Sequence, residues 1–371
     1  MIQVGILSFR NGFRRGMQDF YPLFKWRKSL KKAGLEFSFF SDHTDEGLFN
    51  HDVVIINHRY LRRNILHGGP YESNEFIIPT IEKLKKRNCK VVLYDFSASS
   101  GCKYFDLIDH VDLVVKRQLL KDRSLYCQSP HKTIKPYLWD YNLSEIEKEK
   151  YKAEFSCFKS CSKENLDKLE FGWNTGMVDY RYFPLKRYYP VSTERLLNRV
   201  YRMPSFERPD KQKRTVGTVF RGQLREGKKM FSFQRNQLIK ILDEMNSKYG
   251  CHTGSKVPLN QYANELKISK VCFSPFGWGE ICYRDFEAAL YGCVLIKPSM
   301  NHIDTYPDIF HDHETYIPVK WNMSDAKDVL IDTIEHYEER KKTAFNLQKS
   351  FESQISSDEY IVGKMLKICR V

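Results

Sequence analysis

Short apolar runs and longer amphipathic segments alternate along the first half of the chain. Runs at 4–9, 36–41, 53–57, 90–95 and 112–115 predict strands, and the segments at 21–33 and 71–87 predict helices. Strands built from Val, Ile and Leu and separated by segments of helical length argue for a parallel sheet with helices on both faces. The second half repeats the scheme from about Arg214. A strand at 215–220 leads through the polar loop RGQLREGKK into a helix at 231–249, followed by a helix at 258–268 and a strand at 271–273. A loop with Pro275, Gly277 and Gly279 opens a helix near Glu280, which Gly292 ends before a strand at 294–296. Charged amphipathic helices at 324–337 and 338–355 close the pattern. Between the halves, from 137 to 208, the periodicity weakens to a charged helix at 145–157 and irregular chain at 171–177 and 188–191.

The helix after the glycine loop carries the most chemistry. Glu280, Arg284, Glu287 and Tyr291 fall at i, i+4, i+7 and i+11 and so share one stripe, while Cys282, Phe286, Ala289 and Cys293 share another. A helix start behind a glycine loop suits phosphate oxygens, and Arg284 adds a bidentate donor to the same anion. Glu287 is an acceptor fitted to neighbouring hydroxyls such as those of a ribose, and Glu280 at the mouth is suited to sugar hydroxyls. The ligand implied is a nucleotide sugar. The same spacing also describes a solvent-exposed Glu280 to Arg284 pair on an ordinary helix, so the burial of that row decides between the two.

The stretch RDFEAALYGCVLIKP resembles the carboxy-terminal nucleotide-binding half of GT-B glycosyltransferases of the group 1 and exostosin types. Glu287, Ala288, Gly292 and Ile296 match the run E-A-x-x-x-G-x-x-x-I, and Arg284 and Cys293 look more like the exostosin variant. The upstream acid departs from the group 1 pattern, because Glu280 stands one residue closer to Glu287. The resemblance implies an α/β fold of two Rossmann-like doubly wound domains facing a cleft. It implies an acceptor domain with linker over 1–185, a donor domain over 186–350 and a terminal helix over 351–371 returning to the first domain. It also implies Gly279, Tyr283, Arg284 and Glu287 as donor-binding residues, with Glu280 in a catalytic role. The strand, basic loop and helix from Thr215 resemble the first unit of the same half, where an Arg and a Lys hold the donor diphosphate. Here Arg221 or Arg225, with Lys228, match. A diphosphate leaving group gathers charge as its bond breaks, so paired cations in one loop have that meaning without a family as well.

In parallel sheets ligands lie beyond the carboxyl ends of the strands. An acceptor hydroxyl there needs a base in an inverting reaction, and Asp95 in YDFSASSG is the first candidate, with Asp19 and His58 behind it. FRNGFRRG lacks the G-x-G-x-x-G spacing, so dinucleotide binding is not supported. HDH at 311–313 has no further ligands at metal spacing, and ten scattered Cys suggest reduced thiols, so neither a metal nor a cofactor is expected.

A net charge of +14 calls for an anionic partner. The densest basic runs, RNGFRR, KWRKSLKK, KLKKR and KQKR, lie far apart in the sequence. The first two, with Tyr21, Phe24 and Trp26 alongside, suggest a membrane-surface contact. The chain reads as a cytoplasmic glycosyltransferase, peripheral to a membrane, acting on a glycan or glycolipid acceptor in polysaccharide biosynthesis. No run of apolar residues is long enough to span a membrane. Two rivals remain: an epimerase or other non-transferase enzyme on the same fold, and a basic nucleic-acid-binding protein, for which no helix-turn-helix, zinc-finger or RNP-like motif speaks.

Overall fold

The computed structural model describes residues 1–8, 18–66, 74–128, 158–178, 203–211, 213–222 and 229–370. The first lobe is built on strands β1 (Ile2–Leu7), β2 (Leu35–Phe40), β3 (Val53–Asn57), β4 (Lys90–Asp95), β5 (Leu113–Lys116) and β7 (Leu169–Phe171), with β6 (Gln118–Leu120) outside the sheet. The sheet order is β2-β1-β3-β4-β5-β7, and every pairing is parallel. All of β3 and nearly all of β4 are buried, which explains their continuous Val, Ile and Leu content: both faces of the sheet are covered.

The second lobe uses β8 (Val216–Val219), β9 (Cys251–His252), β10 (Ser269–Phe273), β11 (Val294–Pro298) and β13 (Ile317–Val319), ordered β13-β11-β10-β8-β9 and again parallel throughout. Both sheets therefore reverse direction of growth at one place, between β1 and β3 in the first and between β8 and β10 in the second. Those reversals leave a crevice beyond the carboxyl ends, where open α/β sheets bind ligands. The expected pair of doubly wound domains is present.

The lobes are tied together away from the sheets. β12 (Ile303–Thr305) of the second lobe pairs antiparallel with β6 of the first, Asp304 opposite Leu119, and Arg123 adds an ion pair to Asp304 at 2.8 Å. The last helix, Glu359–Cys369, lies against the β7 edge of the first lobe: Lys364 reaches Glu170 at 2.8 Å, Lys367 contacts the same carboxylate, and the Tyr360 hydroxyl donates to the Gly172 carbonyl at 2.8 Å. Tyr306, just past β12, stacks on Tyr360 with ring centroids 3.4 Å apart. One apolar core runs from the first sheet through the helix Tyr283–Tyr291 to the closing helices, where Phe286 packs on Phe351 at 5.0 Å. A second core, with Phe220, Leu238, Val271 and Leu330, fills the far face of the second sheet.

Three local expectations change. The helix expected at 21–33 bends at Trp26 into Tyr21–Lys25 and Arg27–Lys32, with Trp26 at φ −109° and its side chain in the core. The chain expected to be irregular at 171–177 begins with the end of β7, an edge strand too short to show alternation. The helix expected to open near Glu280 begins at Tyr283. The charged helix expected at 145–157 and the irregular chain at 188–191 lie outside the described residues.

Candidate active site between the two lobes

The late start of the helix follows from its first turn. Cys282, extended at φ −137°, is the N-cap, and Asp285 closes a capping box by accepting the Cys282 N–H at 2.9 Å. Asp285 is fully buried and is fixed further by the Ser274 hydroxyl at 2.5 Å and by Lys297 at 3.1 Å. Gly292 ends the helix at φ 66°, the left-handed conformation expected of it. Arg284, Glu287 and Tyr291 consequently share a helix face, and Glu280 stands in the loop before them.

Glu280 points across the lobe boundary and is fully buried. One carboxylate oxygen accepts from the Ser100 N–H at 3.1 Å and from the Gln118 side-chain amide at 2.7 Å; the other accepts from the Ser100 hydroxyl at 3.0 Å. Both partners belong to the first lobe, Ser100 after β4 and Gln118 in β6. Gly279 explains how the backbones come close enough. A Cβ placed there would lie 1.7 Å from the carbonyl oxygen of Ala98, so only glycine fits.

Deeper in the second lobe, Glu287 accepts from the Tyr262 hydroxyl at 2.9 Å and is 1% exposed. Arg284 is half-buried beside it. Its guanidinium donates to the Arg221 carbonyl at 2.7 Å and lies 4.8 Å from the centre of the Phe220 ring, while its Nε has no hydrogen-bond partner among the described residues. Arg221, expected to hold a diphosphate, is engaged elsewhere. It grips Glu265 bidentately at 2.8 and 2.7 Å and donates to the Thr253 carbonyl. The acid that captures it is on the helix Leu259–Ile268, for which the basic loop gives no sign. Arg225 and Lys228 lie outside the described residues.

On the first lobe the three acceptor-side candidates occupy different environments. Asp95 is fully buried and pairs with Lys116 at 2.6 Å, which also donates to the Gly101 carbonyl at 2.9 Å. Burial works against its charge, but Lys116, His58 and the Ser97 N–H together hold the carboxyl well below the usual range. His58 is buried as well, and its Nδ1 accepts the Phe96 N–H at 3.0 Å. Burial and the neighbouring Arg59 push its pKa far down, so the ring is neutral with its proton on Nε2. Asp19, beside the β1/β3 switch point, is held bidentately by Arg59 at 2.5 and 3.1 Å and contacted by Asn57 at 3.3 Å. Burial wins here over Arg59 and Asn57, and the Asp19 carboxyl titrates above its ordinary range.

Tyr283 opens the second-lobe helix close enough to Arg59 and Arg117 of the first lobe to act on both electrostatically. The site thus joins Tyr283 and Glu280 to first-lobe groups and keeps Arg284 and Glu287 within the second lobe. Sequence reasoning named the loop that carries Ser100 without giving Ser100 a role, and passed over Gln118, Tyr262, Arg117 and Lys116. Of these, only the Lys116-Arg117 pair closing an apolar strand carries a local signal. Among the described residues, no group of three or more His, Cys, Asp or Glu could hold a metal ion, and no helix is long and apolar enough to cross a membrane.

Comparison with solved structures finds an α-glucosyltransferase in complex with UDP and a DNA containing an HMU base, at 11% identity over 99% of each chain with a TM-score of 0.48. It also finds T4 phage BGT in complex with UDP and Mn2+, at 11% identity over 100% of each chain with a TM-score of 0.48. Sucrose-phosphate synthase from Thermosynechococcus elongatus matches at 12% identity over 99% of this chain and 98% of that one, with a TM-score of 0.44. No protein-family model matches the sequence. No curated protein matches it either. The topology itself, two doubly wound parallel sheets whose carboxyl-end loops meet, is the GT-B arrangement.

Proposed function

We propose that the chain is a glycosyltransferase that moves a sugar from a nucleotide-sugar donor on the second lobe to a hydroxyl of a glycan or glycolipid on the first. The observation that carries the reading is the row at the β8/β10 switch point: Glu280 and Glu287, fully buried, and Arg284, half-buried, face the lobe boundary and the interior, not bulk solvent. Glu287, oriented by Tyr262, is the acceptor for the ribose hydroxyls. Arg284 and the start of its helix take the phosphates. These protein groups supply the positive charge for the leaving group, so the reading includes no metal.

The departure at Glu280 acquires a meaning in this scheme. With its oxygens taken up by Ser100 and Gln118, Glu280 positions the lobes against each other. Of the three first-lobe candidates, Asp19 is the base. Asp95 and Asp19 are both paired with a cation, but Lys116, His58 and the Ser97 N–H hold Asp95 below the usual carboxylate range whereas burial holds Asp19 above it. The neutral His58 has its accepting nitrogen already occupied. A carboxylate with a raised pKa is the better proton acceptor. Closure of the lobes excludes water and favours transfer over hydrolysis.

Calorimetric titration with UDP-, GDP-, CMP- and dTDP-sugars tests the reading. One of them binds wild type, and Glu287→Ala abolishes that binding. Absence of binding by all four, or an affinity unchanged by Glu287→Ala, rejects it. Consumption of the donor with no acceptor present would identify an epimerase instead.

A further inference from the structure

Arg117 is a buried cation whose charge no carboxylate among the described residues claims directly. It follows β5 and is 8% exposed, and among the described residues its guanidinium makes one hydrogen bond, a long one from Nη1 to the Phe96 carbonyl at 3.4 Å, and lies 5.9 Å from the centre of the Phe96 ring. Its Nε is buried with no hydrogen-bond partner among the described residues. Its chain neighbour Gln118 donates to Glu280, in the loop that leads into the second-lobe helix, at 2.7 Å, which sets Arg117 at the lobe boundary. The ionisable groups that act on it come from both lobes: Tyr283 and Cys282 from the start of that helix, and Asp19 and Arg59 from the first. Asp19 is already committed bidentately to Arg59. Asp285, the acid of the helix's first turn, is matched by Lys297. A buried guanidinium without a counter-charge is costly, and the cost is recovered when an anion arrives.

We propose that Arg117 is the first lobe's ligand for a phosphate group held against the start of the helix Tyr283–Tyr291, so that the anion is shared by both lobes. The inference rests on the nucleotide-sugar reading for the nature of the ligand and deepens it. A guanidinium matches two phosphate oxygens at once, which a lysine cannot do. Arg284 serves the phosphates from within the second lobe, whereas Arg117 reaches them from the opposite side. The phosphate is then a bridge that the lobes form only in the closed arrangement. Its source is either the donor's diphosphate or a phosphate on the acceptor.

The test is isothermal titration of wild type, Arg117→Lys and Arg117→Gln with uridine, UDP and pyrophosphate. For a donor phosphate, Arg117→Gln weakens UDP and pyrophosphate at least tenfold and leaves uridine unchanged, with Arg117→Lys in between. A second arm titrates the UDP-saturated proteins with glycerol 3-phosphate and with glycerol. For an acceptor phosphate, Arg117→Gln loses glycerol 3-phosphate binding and keeps UDP. A melting temperature lowered by Arg117→Gln with all phosphate affinities intact reduces Arg117 to a support for the Phe96 loop and overturns the inference. If wild type binds pyrophosphate through Arg117 but no nucleoside diphosphate, the anion site stands and the nucleotide-sugar reading falls.

Discussion

Replacing Gly279 by alanine puts one methyl group between the lobes. Its carbon would stand 2.3 Å from the Ala98 carbonyl carbon and 1.7 Å from the carbonyl oxygen, the latter half the 3.4 Å at which ordinary contact begins. The obstacle is backbone on both sides, so no rotamer relieves it, and the loop carrying Glu280 has to withdraw from Ser100 and Gln118 by more than an ångström. Misplacement on that scale costs about 100-fold in rate, or about 2.7 kcal/mol in the barrier. The second lobe's own contacts, Glu287 to Tyr262 and Arg284 to the Arg221 carbonyl, are untouched. Gly279→Ala should therefore keep its affinity for the nucleoside alone within a few-fold while kcat falls about 100-fold, and small-angle scattering should show a larger radius of gyration. Glu280→Gln, which keeps the shape and loses the charge, should show a milder version of both effects. A kcat at the wild-type level with unchanged scattering would refute the view that the lobes must meet here.

Glu287→Gln should weaken donor binding about 10- to 100-fold by removing a charged acceptor, measured by titration calorimetry. Asp19→Asn should abolish turnover. In wild type the acid limb of kcat/KM should lie above the ordinary carboxylate range, because burial raises the Asp19 pKa and activity is lost as pH falls through it; a limb at or below pH ~4 would exclude Asp19 as the base. Breaking the buried Asp95–Lys116 pair with Lys116→Met should cost about 3–5 kcal/mol at pH 7 in urea unfolding. Asp95 has a folded pKa below its unfolded value, so its contribution is present above pH ~4 and is lost as pH falls below that. The gap between wild type and Asp95→Asn should narrow only in that acid window.

The parallel sheets were legible because strands covered on both faces are nearly continuous apolar runs, as in the VVII of VVIIN and the VVLY of KVVLYD, and these runs are too short for helices. The end of the key helix was legible for a similarly local reason, since Gly292 adopts a conformation that side chains resist. Its beginning was not: a cysteine N-cap is unusual, and the capping box that places it depends on Asp285 three residues later. Contacts across the chain were beyond reach. Glu280 finds Ser100 and Gln118 at separations of 180 and 162 residues, and no periodicity encodes such a meeting. Arg221 shows the converse error. Read in its loop it is a cation awaiting a phosphate, and only the neighbouring helix reveals that Glu265 holds it. Charge in a sequence is visible residue by residue, but its neutralisation is a property of the packed molecule.

The antiparallel ribbon of β6 and β12, the Arg123–Asp304 pair and the last helix's hold on Glu170 all fasten one lobe to the other outside the paired sheets. Bodies fastened along one border are left with rotation about that border as their easiest relative movement. The crevice would then gape on the side remote from the ribbon. Donor and acceptor would share one doorway, so the order in which they arrive becomes a property of the architecture.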